Sequence, residues 1–168
     1  MRCVYINLDS QTERRETIER NFAEVRAEGW SLTRYPAIDT RYVAERGVPG
    51  SLRPAEKACY LSHMSVIAAD LDRGDRLMVL EDDAMFGAST HRLVDEGLER
   101  SRDLDWDIIF TDLCIPMITT MYDLLKLRAE YRKTRQGVLL SVAQFPFGGA
   151  TAYIVSVNAA SPGSIGAR

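Results

Sequence analysis

Residues 77–83 read Leu-Met-Val-Leu-Glu-Asp-Asp: four apolar side chains followed by three consecutive carboxylates. A short apolar run bounded by Gly74 on one side and by charges on the other is typical of a strand buried in the middle of a sheet. Carboxylates are costly to bury unless they are solvated, paired or bound to a cation. This stretch therefore predicts a buried strand over 76–80 that places polar chemistry at its carboxyl end.

Apolar runs of similar length recur on both sides of this strand and alternate with segments of helical periodicity. Ile18, Phe22 and Val25, for example, form the apolar face of one helix. Strands that alternate with helices predict an α/β fold with a mostly parallel sheet flanked by helices. The predicted strands cover 3–8, 30–38, 76–80, 106–110, 138–142 and 152–157, and the predicted helices cover 13–28, 55–73, 90–102 and 121–135.

Local signals refine this arrangement and locate a site. Pro36 restricts the second strand to a sheet edge or a strand end, because proline has no N–H for the ladder. Residues 39–53 are rich in glycine and proline and predict a loop. Sheets of this kind bind ligands at the carboxyl ends of the strands, where the strand order reverses. The segments after Leu8, Leu80 and Phe110 are therefore the predicted positions of functional residues.

Composition narrows the class of protein. The chain has 168 residues, of which 46% are hydrophobic and 27% charged, a balance that predicts one globular domain. Its 21 Lys and Arg against 24 Asp and Glu give a net charge of −3, which argues against a nucleic-acid partner. No apolar run approaches the roughly 20 residues that cross a bilayer, and the N-terminal run is too short for a signal peptide. Cys3, Cys59 and Cys114 are widely spaced, which predicts reduced, mostly buried thiols in a cytoplasmic protein.

The acidic triplet is the sharpest candidate for a metal site. If strand geometry persists, Glu81 and Asp83 lie on one face and Asp82 on the other. Two carboxylates on the same side suit a hard divalent ion that keeps several waters and also grips a diphosphate. An acidic turn in which Asp82 or Asp83 caps the following segment explains the same pattern.

A second candidate group follows the first strand. Asn7 and Asp9 stand at its end, where an aspartate suits a ribose hydroxyl or the edge of a uracil ring. Arg14 and Arg15 open the next helix, where a cation is unfavourable by about 0.3–1 kcal/mol unless an anion such as a phosphate compensates it. The alternative is that these arginines belong to a solvated charged face.

The third candidate group lies on the helix over 55–73. Glu56, Cys59 and His63 share one stripe at i, i+3 and i+7, but this is an unusual zinc set and no fourth ligand is evident. The favoured interpretation is that Glu56, Ser62 and His63 edge a cleft. There His63 would be a general base or a hydrogen-bonding partner of the substrate, and a structural histidine is the alternative.

Two weaker signals come from the C-terminal third of the chain. Gly149 enters the last predicted strand and allows close backbone approach to a ligand. The basic segment 126–135 is interpreted as the solvated face of a helix, with a surface that meets an acceptor or a membrane as the alternative.

Seven segments occur in an order that resembles glycosyltransferase family 25, which includes bacterial lipooligosaccharide galactosyltransferases and the collagen galactosyltransferase domain. The resemblance extends from residue 2 to about residue 160. The segments are 4–9 (Val-Tyr-Ile-Asn-Leu-Asp), 13–15 (Glu-Arg-Arg), 35–39 (Tyr-Pro-Ala-Ile-Asp), 58–63 (Ala-Cys-Tyr-Leu-Ser-His), 79–84 (Val-Leu-Glu-Asp-Asp-Ala), 105–109 (Asp-Trp-Asp-Ile-Ile) and 149–156 (Gly-Ala-Thr-Ala-Tyr-Ile-Val-Ser).

The resemblance implies a nucleotide-diphospho-sugar transferase fold of the GT-A type. It implies inverting transfer of a sugar, typically galactose, from a UDP-sugar to a glycan or glycolipid acceptor in lipopolysaccharide biosynthesis, with peripheral membrane association as a further implication. Glu81 and Asp83 would act as the metal ligands for Mn²⁺ or Mg²⁺ on the diphosphate, beside Asp82. An inverting reaction also needs a base on the acceptor hydroxyl, and His63 and Asp112 both qualify.

The chain departs from the family pattern at three places. Ser10 stands where the family usually has arginine, and Ala58 stands where it commonly has glycine. Family members usually continue beyond the last predicted strand, whereas residues 161–168 form a tail of small residues after a transferase-like domain over 1–160. The alternatives are a truncated, non-catalytic relative that binds a sugar nucleotide only, or an unrelated α/β nucleotide-binding regulator or hydrolase.

Overall fold

The computed structural model describes residues 1–25, 28–70, 73, 75–112, 117–134 and 149–156. Within these residues the chain forms five strands and five helices. The strands are β1 (Arg2–Asn7), β2 (Ser31–Pro36), β3 (Leu77–Glu81), β4 (Ile108–Phe110) and β5 (Ala152–Val155), and the helices are α1 (Thr12–Val25), α2 (Thr40–Glu45), α3 (Pro54–Asp70), α4 (Thr90–Arg100) and α5 (Ile118–Thr134).

The five strands form one mixed sheet in the order β2-β1-β3-β5-β4. β1 pairs in parallel with β2 and β3, whereas β5 pairs antiparallel with both β3 and β4. The prediction of an α/β fold is confirmed, but the prediction of a mostly parallel sheet is wrong. All four residues of β5 are buried, and a strand covered on both faces has the same continuous apolar pattern whichever way it runs.

Most predicted elements are confirmed, with ends that differ by at most three residues. β2 lies at a sheet edge and ends at Pro36, as its proline requires. The predicted strand over 138–142 and the predicted tail over 161–168 lie outside the described residues, as does Cys114.

The prediction of a loop over 39–53 is wrong in part, because it contains the short helix α2. The Asp39 side chain caps this helix by accepting a hydrogen bond from the Tyr42 N–H at 2.9 Å. Val43 is the buried residue of this helix, and the Arg46 N–H donates a hydrogen bond to the Tyr42 carbonyl at its end. Six residues are too few to show a helical period, so the cap is the signal that sequence reasoning overlooked.

The pleat of the sheet divides the core into two clusters. Met78 and Leu80 of β3 pack on the side of α1, whereas Leu77 and Val79 pack on the side of α3. The α1-side cluster comprises Cys3, Tyr5, Ile18, Phe22, Trp30, Met78, Leu80, Ala84, Phe86, Val94, Leu98, Ala152 and Ile154. The α3-side cluster comprises Ile6, Val66, Leu77, Val79, Tyr153 and Val155.

Burial of Cys3 makes the free energy of unfolding fall as the pH becomes alkaline. Burial raises the pKa of this thiol from 9.0 to about 12, against a smaller opposing effect of the N-terminal ammonium. Above pH 9 the folded state therefore keeps the thiol proton that the unfolded chain releases. The contribution of Cys3 to the free energy of unfolding is fully present below pH 9 and falls as the pH rises toward 12.

We expect the protein to lose about 2 kcal/mol of unfolding free energy through Cys3 between about pH 8 and about pH 10.5. Urea unfolding across this range, compared with Cys3→Ala, checks the prediction. The variant keeps Tyr5, whose pKa burial and the Glu19 hydrogen bond also raise, so the difference in slope belongs to the thiol. Parallel pH profiles of the two proteins would contradict it.

Two further sequence predictions concern the cysteines and membrane-spanning helices. Cys3 is buried as predicted, but Cys59 is exposed, and both are free thiols. Among the described residues, no helix has the length and apolar content needed to span a bilayer.

Candidate functional site

A cleft of about 730 Å³ opens at the carboxyl ends of β1, β2 and β3. The chain passes from β1 to β2 on one side and then crosses to β3 on the other, so the strand order reverses at β1. Sheets of this kind bind ligands at such a switch point, and the volume lies within the range of small-molecule sites, roughly 300–1,000 Å³. The cleft is lined by Ile6, Leu8, Asp9, Ser10, Gln11, Arg14, Ala37, Ile38, Asp39, Thr40, Arg41, Ala55, Ala58, Cys59, Ser62, His63, Glu81 and Asp82.

The pleat separates the first two carboxylates of the acidic triplet. Glu81 ends β3 and faces α3, where its Oε1 lies 3.4 Å from the His63 Nε2. Asp82 faces α1, where its carboxylate accepts hydrogen bonds from Asn7 and Arg14. The cleft therefore has two chemically different walls, one on each side of β3.

Asn7 organises the α1 wall. It is 1% exposed, and its Nδ2 donates to the Gln11 carbonyl at 3.0 Å and to the Asp82 Oδ2 at 2.8 Å. Its Oδ1 accepts from the Arg34 Nε at 3.0 Å. Both N–H groups and the oxygen of the Asn7 side-chain amide are thus hydrogen-bonded within the protein. Asn7 therefore links β1, β2, the end of β3 and the start of α1.

Arg34 and Arg14 bring positive charge to this wall. Arg34 also donates to the Asn7 carbonyl and to the Asp9 carboxylate. The Arg14 Nη1 lies 2.9 Å from the Asp82 Oδ1 and 3.9 Å from the Asp83 Oδ2, and its side chain remains 55% exposed. The hydrogen bond and the charge of Asp82 raise the pKa of Arg14 further above its usual value. A guanidinium held on one side and open on the other can receive an anion from the cleft.

The α3 wall brings together three different kinds of ligand atom. The Cys59 Sγ, a His63 ring nitrogen and a Glu81 oxygen all lie within 4.8 Å of one another. The His63 side chain is 12% exposed, and its Nδ1 lies 2.9 Å from the Tyr153 hydroxyl. Burial, followed by the negative charge of Glu81, raises the pKa of Cys59. The pKa of Tyr153 is also raised, first by burial and then by the negative charges of Cys59 and Glu81. The Tyr153 hydroxyl therefore stays protonated as a hydrogen-bonding partner.

The remaining predicted site residues do not line the cleft; they are Asp83, Arg15, Asp112 and Gly149. Strand geometry ends at Glu81, so Asp83 does not share the face of Glu81 and approaches Arg14 instead. Arg15 lies 3.6 Å from Glu19 on the exposed face of α1. The Asp112 N–H bonds the Ala152 carbonyl at 3.2 Å, beyond the end of β4. Gly149 has φ of 125°, a conformation that favours glycine.

Sequence reasoning missed Arg34 and Tyr153. A long cation in the middle of the half-buried strand β2 was the available signal for Arg34, because such a residue usually has a partner. Tyr153 reads as an ordinary core residue, and its hydroxyl meets His63 only because β5 pairs with β3. Glu56, which was predicted to edge the cleft, instead accepts hydrogen bonds from Arg53 at the start of α3.

Comparison with known proteins gives one family. The model of glycosyltransferase family 25, described as a family of LPS biosynthesis proteins, matches residues 1–162. A search of curated proteins found no match. The match covers both walls of the cleft and nearly the whole sequence. The chain therefore belongs to glycosyltransferase family 25.

Proposed function

We propose that this protein transfers galactose from UDP-galactose, with inversion, to a hydroxyl of a glycan or glycolipid acceptor in lipopolysaccharide biosynthesis. The observation that carries the proposal is the cleft at the switch point of the sheet, with Arg14 and Asp82 on one side of β3 and His63 on the other. Family membership supports the transfer reaction, and a GT-A type of fold is part of the proposal.

The α1 wall is proposed to hold the donor diphosphate. Arg14 is half exposed there, and Gln11 and Ser10 place the N-terminus of α1 on the cleft lining. Backbone N–H groups at a helix N-terminus favour phosphate binding. Asp9, whose side chain is 86% exposed, is proposed to meet the ribose or the uracil ring. Asn7 is proposed to position Asp82 directly and Asp9 through Arg34.

A divalent cation is proposed to bind Glu81 and Asp83 at the acidic turn, where the two carboxylates approach from different sides. Glu81 and Asp83 are 35% and 54% exposed, so both carboxylates have oxygen atoms available for a hard ion. Mg²⁺ and similar ions bind through one or two carboxylates together with substrate phosphates, so they need no closed protein cage. Bound there, Mn²⁺ or Mg²⁺ would neutralise charge on the departing UDP.

His63 is proposed as the base that removes the proton from the acceptor hydroxyl. Its ring lines the cleft, and its Nδ1 is engaged by the Tyr153 hydroxyl, which leaves Nε2 on the side of Glu81. Asp112 does not belong to the cleft lining. This difference favours His63 over Asp112.

The cellular setting is also a proposal. Free thiols at Cys3 and Cys59 support a cytoplasmic site of action. An acceptor glycolipid would place the protein at the inner face of the membrane, where the exposed apolar residues Ile118, Tyr122 and Leu125 and the basic end of α5 are suited to contact.

UDP together with Mn²⁺ is expected to raise the thermal midpoint of the protein, and Asp83→Ala to remove at least half of the gain. At a UDP concentration about 100 times Kd the gain in unfolding free energy is about 2.7 kcal/mol, and a tenfold loss of affinity halves it. Differential scanning fluorimetry of the two proteins and of the control Asp103→Ala, an exposed carboxylate elsewhere, checks the prediction. A full shift in Asp83→Ala would remove Asp83 from the metal site.

Release of UDP in the presence of an acceptor glycan separates transfer from binding. Turnover supports the proposal. Binding of UDP without consumption of UDP-galactose would support a non-catalytic relative instead, and strong binding of ATP with none of UDP would support an unrelated nucleotide-binding domain.

A further inference from the structure

We propose that Cys59, His63 and Glu81 form a binding site for Zn²⁺ or a similar borderline metal ion, which shares Glu81 with the proposed site of the hard cation on the donor diphosphate. The three residues come from α3 and the end of β3, and all of them line the cleft. Thiolate and imidazole ligands favour zinc over magnesium or manganese. Three protein ligands with an open fourth position are the arrangement of zinc sites that keep a water or substrate.

The distances fit this assignment. The His63 Nε2 and the Glu81 Oε1 are 3.4 Å apart, which is longer than the usual N–H···O hydrogen bond. Two ligands about 2.0–2.1 Å from a tetrahedral zinc ion lie about 3.4 Å from each other. The pair is therefore already spaced as two ligands of one ion. The Cys59 Sγ lies within 4.8 Å of a His63 ring nitrogen and of a Glu81 oxygen, so the proposal needs a change of the Cys59 rotamer on α3 to complete the set.

A second residue prepares His63 for this role. The Tyr153 hydroxyl lies 2.9 Å from the His63 Nδ1, so the opposite nitrogen, Nε2, is the one directed at Glu81. Metal-binding histidines usually hold their other ring nitrogen in such a hydrogen bond, which fixes the orientation of the ring. Cys59 would bind as the thiolate and release its proton to solvent.

Occupation of this site has a consequence for transfer. The ion would engage the His63 Nε2 and draw Glu81 away from the hard cation, so zinc is expected to inhibit. This consequence rests on the proposed function, whereas the binding of the metal does not. A failure of inhibition with intact binding would therefore count against the transfer mechanism and not against the zinc site.

Titration of the metal-free protein with Co²⁺, followed by absorption spectroscopy, tests the proposal. We expect one ion per chain, a thiolate-to-cobalt charge-transfer band, d–d bands of tetrahedral intensity, and displacement of cobalt by Zn²⁺. Cys59→Ser is expected to abolish the charge-transfer band, and His63→Gln and Glu81→Gln to weaken binding by at least about tenfold. Circular dichroism of each metal-free variant confirms that it is folded.

Glu56→Gln is the matched control, because Glu56 lies three residues before Cys59 on the same helix and pairs with Arg53. Its cobalt affinity is expected to stay within about twofold of the unmodified protein. Tyr153→Phe is expected to weaken binding without removing the charge-transfer band. A band that persists in folded Cys59→Ser, or equal affinity in all the ligand variants, would overturn the site.

Discussion

A protein carrying His63→Gln is expected to bind UDP as tightly as the unmodified protein and to transfer sugar about 10²- to 10⁴-fold more slowly. The reason is the separation of the two walls: His63 lies on the α3 side of β3, whereas Arg14, Asp9 and Asp82 lie on the α1 side. Loss of the proposed base removes proton abstraction from the acceptor and leaves the diphosphate contacts in place. The measurement is kcat for UDP release, alongside Kd for UDP by calorimetry.

Asp112→Asn is the informative comparison. Asp112 lies beyond the end of β4, outside the cleft lining, so its amide is expected to leave kcat within a few-fold. The opposite pattern, with an active His63→Gln and an inactive Asp112→Asn, would assign the base to Asp112. Equal loss of UDP binding and of turnover in His63→Gln would give His63 a structural role.

Leu80→Ala is expected to lower the free energy of unfolding by about 2–5 kcal/mol, a large share of the stability of a domain of this size. Leu80 is 2% exposed and lies in β3, which pairs with β1 on one side and with β5 on the other. Truncation of Leu80 leaves a cavity in the α1-side cluster between its strand partners Tyr5 and Ala152, and these neighbouring strands limit collapse around it.

Leu52→Ala provides the control, since Leu52 is 54% exposed and its truncation is expected to cost at most about 0.5 kcal/mol. Urea unfolding monitored by tryptophan fluorescence gives both values. A loss below about 1 kcal/mol in Leu80→Ala would show that the centre of the sheet is less tightly packed than its burial indicates.

The sequence predicted the parts of the site that depend on local pattern. The apolar run before Glu81 identified the central strand, and the end of the first strand leads to Asp9, which lines the cleft. The period of α3 placed Cys59 and His63 on one face. These are properties of neighbours in the chain, and strand and helix periodicity determine them.

The remaining features depend on contacts between distant segments. The antiparallel direction of β5 brings Tyr153 to His63, ninety positions earlier in the chain, and no local pattern encodes that pairing. Glu81, and not the Glu56 of the helical stripe, lies near Cys59 and His63, because β3 ends beside α3. The turn at Asp82 and Asp83 likewise directs Asp83 to Arg14, against the alternation expected of a continuing strand.

A single peptide bond joins the two halves of the proposed reaction. Glu81 belongs to the wall with the histidine and Asp82 to the wall with the arginine, and their Cα atoms are held about 3.8 Å apart by covalent geometry. Loop movement can widen the mouth of the cleft, but it cannot change this separation. Insertion of one residue before Glu81 would move Glu81 to the position that faces α1 and leave the inserted residue facing α3. The distance between the two walls at Glu81 and Asp82 is therefore fixed, and acceptors of different size have to be accommodated by the surrounding loops.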